Sequence, residues 1–168
     1  MAKRQVFYSF HFDNDVFRVM QIRHIGSIEG NNPVSANEWE EARKRPGAIE
    51  KWIDENMKYR SCIIVLVGEE TVNRPWVKYE IAKAWNDKKG LLGIYIHSLK
   101  DPRYSSNPPL YGKCRQGQNP FDQFKFDNGR KLASIVKCYN PSATDAYNDI
   151  AQNIESWIEE AIRIRNNS

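Results

Sequence analysis

The sequence predicts an α/β protein whose mostly parallel, doubly wound sheet carries helices on both faces, flavodoxin-like in plan. Three observations predict it. "SCIIVLVG" at 61–68 is an uninterrupted apolar run of strand length, the composition of a strand covered on both faces in a parallel sheet. Strand-like runs alternate with helix-period stretches along the chain, the order that builds βαβ units. The chain has 168 residues, which suits one domain, residues 1–168, large enough to bury a core.

The first strand is "QVFYSF" (5–10), rich in β-branched and aromatic residues. A helix follows, capped by Asp13 or Asn14, with Val16, Val19, Met20, Ile22 and Ile25 at helical spacing. "SIEGNNPVSA" is punctuated by Gly, Asn and Pro and is expected to be a loop. A short helix is expected at 36–44, and "GAIEKWIDENMK" places Ile49, Trp52, Ile53 and Met57 on one helical face. After the buried strand, Asn73 is expected to cap a helix that tolerates Pro75 in its first turn and buries Val77, Ile81, Ala84 and Trp85. "GLLGIYIHSL" (90–99) is another strand, and Gly90 stops the helix before it. Residues 100–130 hold no period and four prolines, as a functional loop or lid would. "LASIVKCY" (132–139) is the last strand. An amphipathic helix over about 143–165 buries Tyr147, Ile150, Ile154, Trp157, Ile158 and Ala161.

Composition removes several classes of function. Charged residues make up 27% and apolar ones 40%, an ordinary globular balance. The net charge of +4 is small and no basic run exceeds "RKR" at 43–45, so nucleic acid is not the expected partner. Cys62, Cys114 and Cys138 are scattered, without a CxxC or a nearby His pair, which argues against a metal site and against a disulfide scaffold. The short apolar run at the start is not a signal peptide and nothing later reaches membrane-spanning length; a cytoplasmic protein is expected. The GxGxxG, GxxxxGK[ST] and GxSxG patterns are absent. An aspartate at the end of the central strand, needed by a phospho-acceptor regulator, is replaced by Gly68 and Glu69.

Ligands of such sheets gather at the carboxyl ends of the strands, where "SFHFDND" and "GEETVNRPWVKYE" converge. In helical projection Glu80 lies roughly 80° from the centre of its helix's apolar stripe, on the flank of the buried face. Such a carboxylate either lines a cleft, with Trp76 one turn earlier as an aromatic wall, or sits in solvent beside Lys78 and Lys83. Ser9, His11 and backbone N–H groups at a helix start can hold a phosphate, and Arg18 can reach an anion. Equally, Asp13 and Asp15 can be plain helix caps, His11 a satisfied loop residue and Arg18 a surface group.

Together, "VFYSFHFDNDVFRV", "CIIVLVGEETVNRPWVKYEIAKAW", "GIYIHSLKD" and "NPFDQF" resemble the bacterial TIR-like proteins of the ThsB type, from the Thoeris anti-phage systems. The resemblance covers residues 3–125 in order. It implies an enzyme that takes NAD as substrate, needs no further cofactor or metal, cleaves the nicotinamide glycosidic bond and releases a cyclic or rearranged ADP-ribose signal for a separate effector protein, with a homo-oligomer as an allowed state. It also implies that Glu80 of "WVKYE" is the catalytic glutamate. Trp76 and Tyr79 would shape its pocket, Ser9, Phe10 and His11 would form the strand-end loop facing the nucleotide, and Asp13 and Arg18 would belong to the same binding motif. A non-enzymatic adaptor working through an aromatic surface around Trp39, Trp52 and the final helix is the competing expectation, as is a hydrolase or transferase acting on another nucleotide.

Overall fold

A computed structural model describes residues 4–26, 28–30 and 47–168. The expected helix at 36–44 and the surface around Trp39 lie outside the described residues. Five strands form one sheet: β1 (Arg4–Ser9), β2 (Ile28–Gly30), β3 (Cys62–Val67), β4 (Gly90–Tyr95) and β5 (Cys138–Tyr139). Their order is β2-β1-β3-β4-β5 and every pairing is parallel, which confirms the doubly wound plan. The helices among the described residues are α1 (Phe12–Arg23), α2 (Ala48–Met57), α3 (Pro75–Asn86) and α4 (Ala146–Asn166).

Strand alternation divides the core into two layers. Val6 and Tyr8 of β1 and Cys62, Ile64 and Leu66 of β3 pack with Val19 and Ile22 of α1 and Ile150, Ile154 and Ile158 of α4. Phe7, Ile63, Val65 and Val67 face the other way, onto Ile49, Ile53 and Met57 of α2 and Val77, Ile81 and Ala84 of α3. All six residues of β3 are buried, as its unbroken apolar run requires. Because α1 and α3 lie on opposite faces, the chain reverses its direction of winding between β1 and β3, and a crevice opens at their carboxyl ends.

Several local expectations are corrected. Residues 28–30 of the expected loop form β2, an edge strand too short to give a period-2 signal. Most of 132–139 is not strand: Leu132–Ser134 is a 3-10 turn, and only Cys138–Tyr139 pairs with β4. Helix α1 starts at Phe12, with His11 in the capping position and Asp13 and Asp15 in the first turn; neither Asp13 nor Asn14 caps it. Asn73 ends a 3-10 turn, Arg74 takes the cap position of α3, and Pro75 is its first residue. Gly90 opens β4, while Lys88 adopts the left-handed backbone (φ 60°) that ends α3. Met20 and Tyr147, expected in the core, are 37% and 40% exposed. Arg18 and Asp15 take the inner face of α1 instead.

The expected lid at 100–130 is pinned. The guanidinium of Arg18, 1% exposed, donates to the carbonyls of Leu99 and Gly112 at 2.9 Å each, and Asp101 N–H also bonds Gly112 O. The loop between Asp101 and Gly112 is therefore tied at its neck to α1. Further along, Phe121 is fully buried in the second core layer.

Candidate active site

Ser9 is the last residue of β1 and shares parity with Phe7, so its side chain faces α3. Glu80, in the second turn of α3, faces β1. The Ser9 hydroxyl donates to Glu80 Oε1 at 3.0 Å across 71 residues of sequence. Glu80 is 6% exposed, deeper than the flank position expected. The cause is the rotation of α3: Val77, Glu80, Ile81 and Ala84 are the buried set, while Trp85 is half-buried at the edge of that core layer, with the Arg165 guanidinium 4.2 Å from its ring centre. The solvated alternative beside Lys78 and Lys83 is excluded for Glu80; Lys83 pairs with Asp87 and Asp54.

Burial pushes the Glu80 carboxyl up to about 8, and the Ser9 hydroxyl bond opposes that shift. A carboxylic acid displaced into the neutral range at a strand-end crevice is a recurrent sign of a working site. Trp76 and Tyr79 lie on the same helix, α3. Their rings meet edge to face at 5.9 Å, and the Tyr79 hydroxyl donates to Asp54 Oδ1 at 2.8 Å, which fixes the ring against α2. His11 is 8% exposed and its Nδ1 has no hydrogen-bond partner. Burial holds its imidazole below the usual range, with the Arg74 guanidinium adding to the effect and Asp13 and Glu70 opposing it.

The remaining expected site residues are placed elsewhere. Phe10 follows Ser9 and so points to the opposite face, where it packs on the α1–α4 core layer and against Phe12. Asp13 is exposed in the first turn of α1 and lines a cavity of about 390 Å³ together with Asp15, Glu69, Asp101 and Tyr104. Arg18 borders that cavity too, but each of its nitrogens has a partner: Leu99 O, Gly112 O, and Asp15 Oδ1 with Asn14 O. Arg18 thus braces the loop after β4. Arg74 is the residue sequence reasoning passed over. It lies inside "GEETVNRPWVKYE", but only the fold brings it near His11.

The sequence model of the family described as "Thoeris protein ThsB, TIR-like domain" matches residues 7–101. This segment includes Ser9, His11, Trp76, Tyr79 and Glu80. The chain belongs to the ThsB TIR-like family. It is also 36% identical over 142 residues to the Bacillus cereus (strain MSX-D12) protein named "Putative cyclic ADP-D-ribose synthase ThsB1", an alignment covering 79% of this chain and 69% of that one. In this ThsB-type chain no helix among the described residues is long and apolar enough to cross a membrane. Of the free cysteines, Cys62 and Cys114 are buried and Cys138 is half-buried.

Proposed function

We propose that this ThsB-type chain consumes NAD, breaking the bond between nicotinamide and ribose and closing the remaining ADP-ribose into a cyclic signalling nucleotide in anti-phage defence. The observation that carries the proposal is the Ser9–Glu80 pair: a nearly buried carboxyl at the β1–β3 strand ends, held at 3.0 Å by a hydroxyl. The name of the Bacillus cereus relative, a cyclic ADP-D-ribose synthase, supports the product class.

Nicotinamide is cationic in NAD and leaves as a neutral molecule, so its departure needs no strong general acid. The electrons of the glycosidic bond go to the pyridine nitrogen, and positive charge develops on the ribose. Glu80, ionised, stabilises that charge. The substrate's own cation favours ionisation of a carboxyl that burial otherwise keeps largely protonated near neutrality. Ser9 donates to Oε1 and so holds the carboxylate in orientation. A nucleophilic atom of the same ADP-ribose then attacks the anomeric carbon and loses its proton, closing the ring. NAD is substrate rather than cofactor, and the chemistry requires no metal. On this proposal Trp76 walls the pocket, His11 and Arg74 lie on the phosphate side, and the product acts on a separate effector in the cytoplasm, with self-association permitted and neither nucleic acid nor membrane as a partner.

The test is nicotinamide release from NAD, measured by chromatography with purified protein and with lysate of phage-infected cells. Wild type should release nicotinamide and a cyclic nucleotide, and Glu80→Gln should lose roughly 100-fold or more, as expected when one charge stabiliser is removed. Equal release by both proteins in infected lysate would overturn the proposal. Protection of cells by Glu80→Gln would favour the adaptor alternative.

A further inference from the structure

Trp76 and Glu80 are four residues apart in α3, so their side chains share one face of the helix. The helix begins at the carboxyl edge of the sheet, just after β3, and helical side chains tilt towards the amino end. The Glu80 carboxyl therefore points back towards the turn that carries Trp76, and Trp76 stands one turn nearer the mouth of the crevice. The indole is half-buried at the edge of the second core layer. Core packing holds such a ring on one side only, and its orientation depends on its neighbours along the helix.

Tyr79 is such a neighbour. Its ring meets that of Trp76 edge to face, with centres 5.9 Å apart and planes at 74°. Tyr79 is tethered in turn from outside α3: its hydroxyl donates to Oδ1 of Asp54 on α2 at 2.8 Å, a partner 25 residues earlier in the chain. Burial and the Asp54 carboxylate both push the Tyr79 phenol above its usual range, so it remains a donor at neutral pH. Lys83 also approaches Asp54 Oδ1, at 3.6 Å, but is held more closely by Asp87 at 2.8 Å. The Asp54 side chain is 46% exposed, and a polar contact in that setting adds little to stability. A hydrogen bond onto an ionised acceptor is nonetheless short and directional. Its contribution here is orientation.

We propose that Asp54 is a positioning residue of the dinucleotide site: by holding the Tyr79 hydroxyl it sets the orientation of the Trp76 ring beside Glu80. This role rests on the proposed NAD chemistry at Glu80 and extends the site to a second helix. Asp54 touches neither substrate nor the reacting atoms. A wall that binds the ground state and the transition state alike changes KM and leaves kcat nearly constant, so loss of the tether should appear in KM.

The experiment has two arms: initial rates of nicotinamide release against NAD concentration in desalted lysate of phage-infected cells, and calorimetric titration of purified Glu80→Gln with NAD. Asp54→Ala and Tyr79→Phe should each raise KM by about two- to tenfold, the range for one lost hydrogen bond, with kcat within about twofold of wild type. Asp54→Asn keeps the acceptor for Tyr79 and should restore KM, and Lys83→Met should leave it unchanged. In a Trp76→Ala background, Asp54→Ala should raise KM no further, as residues acting in one chain of contacts are not additive. Adding Asp54→Ala to Glu80→Gln should weaken NAD binding by the same factor as it raises KM. The melting temperature of Asp54→Ala should fall by no more than about 4 °C. Unchanged KM and Kd in Asp54→Ala, no rescue by Asp54→Asn, or an equal rise of KM in the Trp76→Ala background would each overturn the role of Asp54 alone. A wild type that releases no nicotinamide, with no NAD bound by Glu80→Gln, would overturn the NAD chemistry and this role with it.

Discussion

Replacing Glu80 by Gln should make the protein more stable at alkaline pH while abolishing its proposed activity. The Glu80 carboxyl has its ordinary value of 4.5 in the unfolded chain and about 8 in the folded one. Between those values the folded state holds a proton that the unfolded state has released, so stability is full below about pH 4.5 and is lost as pH rises towards 8. The slope is about 1.4 kcal/mol per pH unit, and across the interval the loss reaches at most about 5 kcal/mol. Gln cannot ionise and keeps an acceptor for the Ser9 hydroxyl, so it escapes that loss. Any constant offset between amide and carboxyl cancels when two pH values are compared, and the parallel contribution of Asp15 is common to both proteins. Urea denaturation of wild type and Glu80→Gln at pH 5, 6.5, 8 and 9, with slopes checked for two-state behaviour, measures the difference. The advantage of the variant should grow by about 3–5 kcal/mol between pH 5 and 9. A difference that stays flat within about 1 kcal/mol would refute the inference that burial displaces this carboxyl.

Ser9→Ala removes the donor that favours the ionised form of Glu80. The alkaline-rising limb of kcat/KM for nicotinamide release should move to higher pH, with a loss of about 1–3 kcal/mol in transition-state stabilisation. Arg18→Met deprives the Leu99 and Gly112 carbonyls of their donor and leaves Asp15 without its cation; stability measured by urea denaturation should fall by about 3–5 kcal/mol. Gly68→Ala would place a methyl group 2.1 Å from Asp15 Oδ2 and 2.4 Å from Oδ1. Since the Gly117 Cα also packs against the Gly68 carbonyl, neither side can yield easily, and the melting temperature should drop by several degrees, consistent with about 1–3 kcal/mol of overpacking.

The sequence by itself determined the architecture of the sheet and the family resemblance that points to Glu80. The run Cys62–Val67 could only be a strand buried on both faces, and its neighbours supplied the alternation of strand and helix that winds the sheet in parallel. "WVKYE" and "SFH" carried the family resemblance, because each is a short run that is read directly from the chain. Tertiary structure decided how deep each group sits. Helical projection put Glu80 on a flank because it counted Trp85 as core, but packing rotated α3 so that Trp85 meets Arg165 and Glu80 turns inward onto Ser9. The inward positions Asp15 and Arg18 were equally illegible. A charged residue on an apolar face is favourable only when distant backbone carbonyls, here Leu99 and Gly112, arrive to satisfy it. No periodicity in residues 100–130 announces those carbonyls, nor the carboxylate-lined cavity that the loop completes against α1. Hydrogen-bond partners separated by 71 to 94 residues are set by the crossing of strands and helices, which is why neither the Ser9–Glu80 pairing nor the protonation of that carboxyl was legible in the sequence.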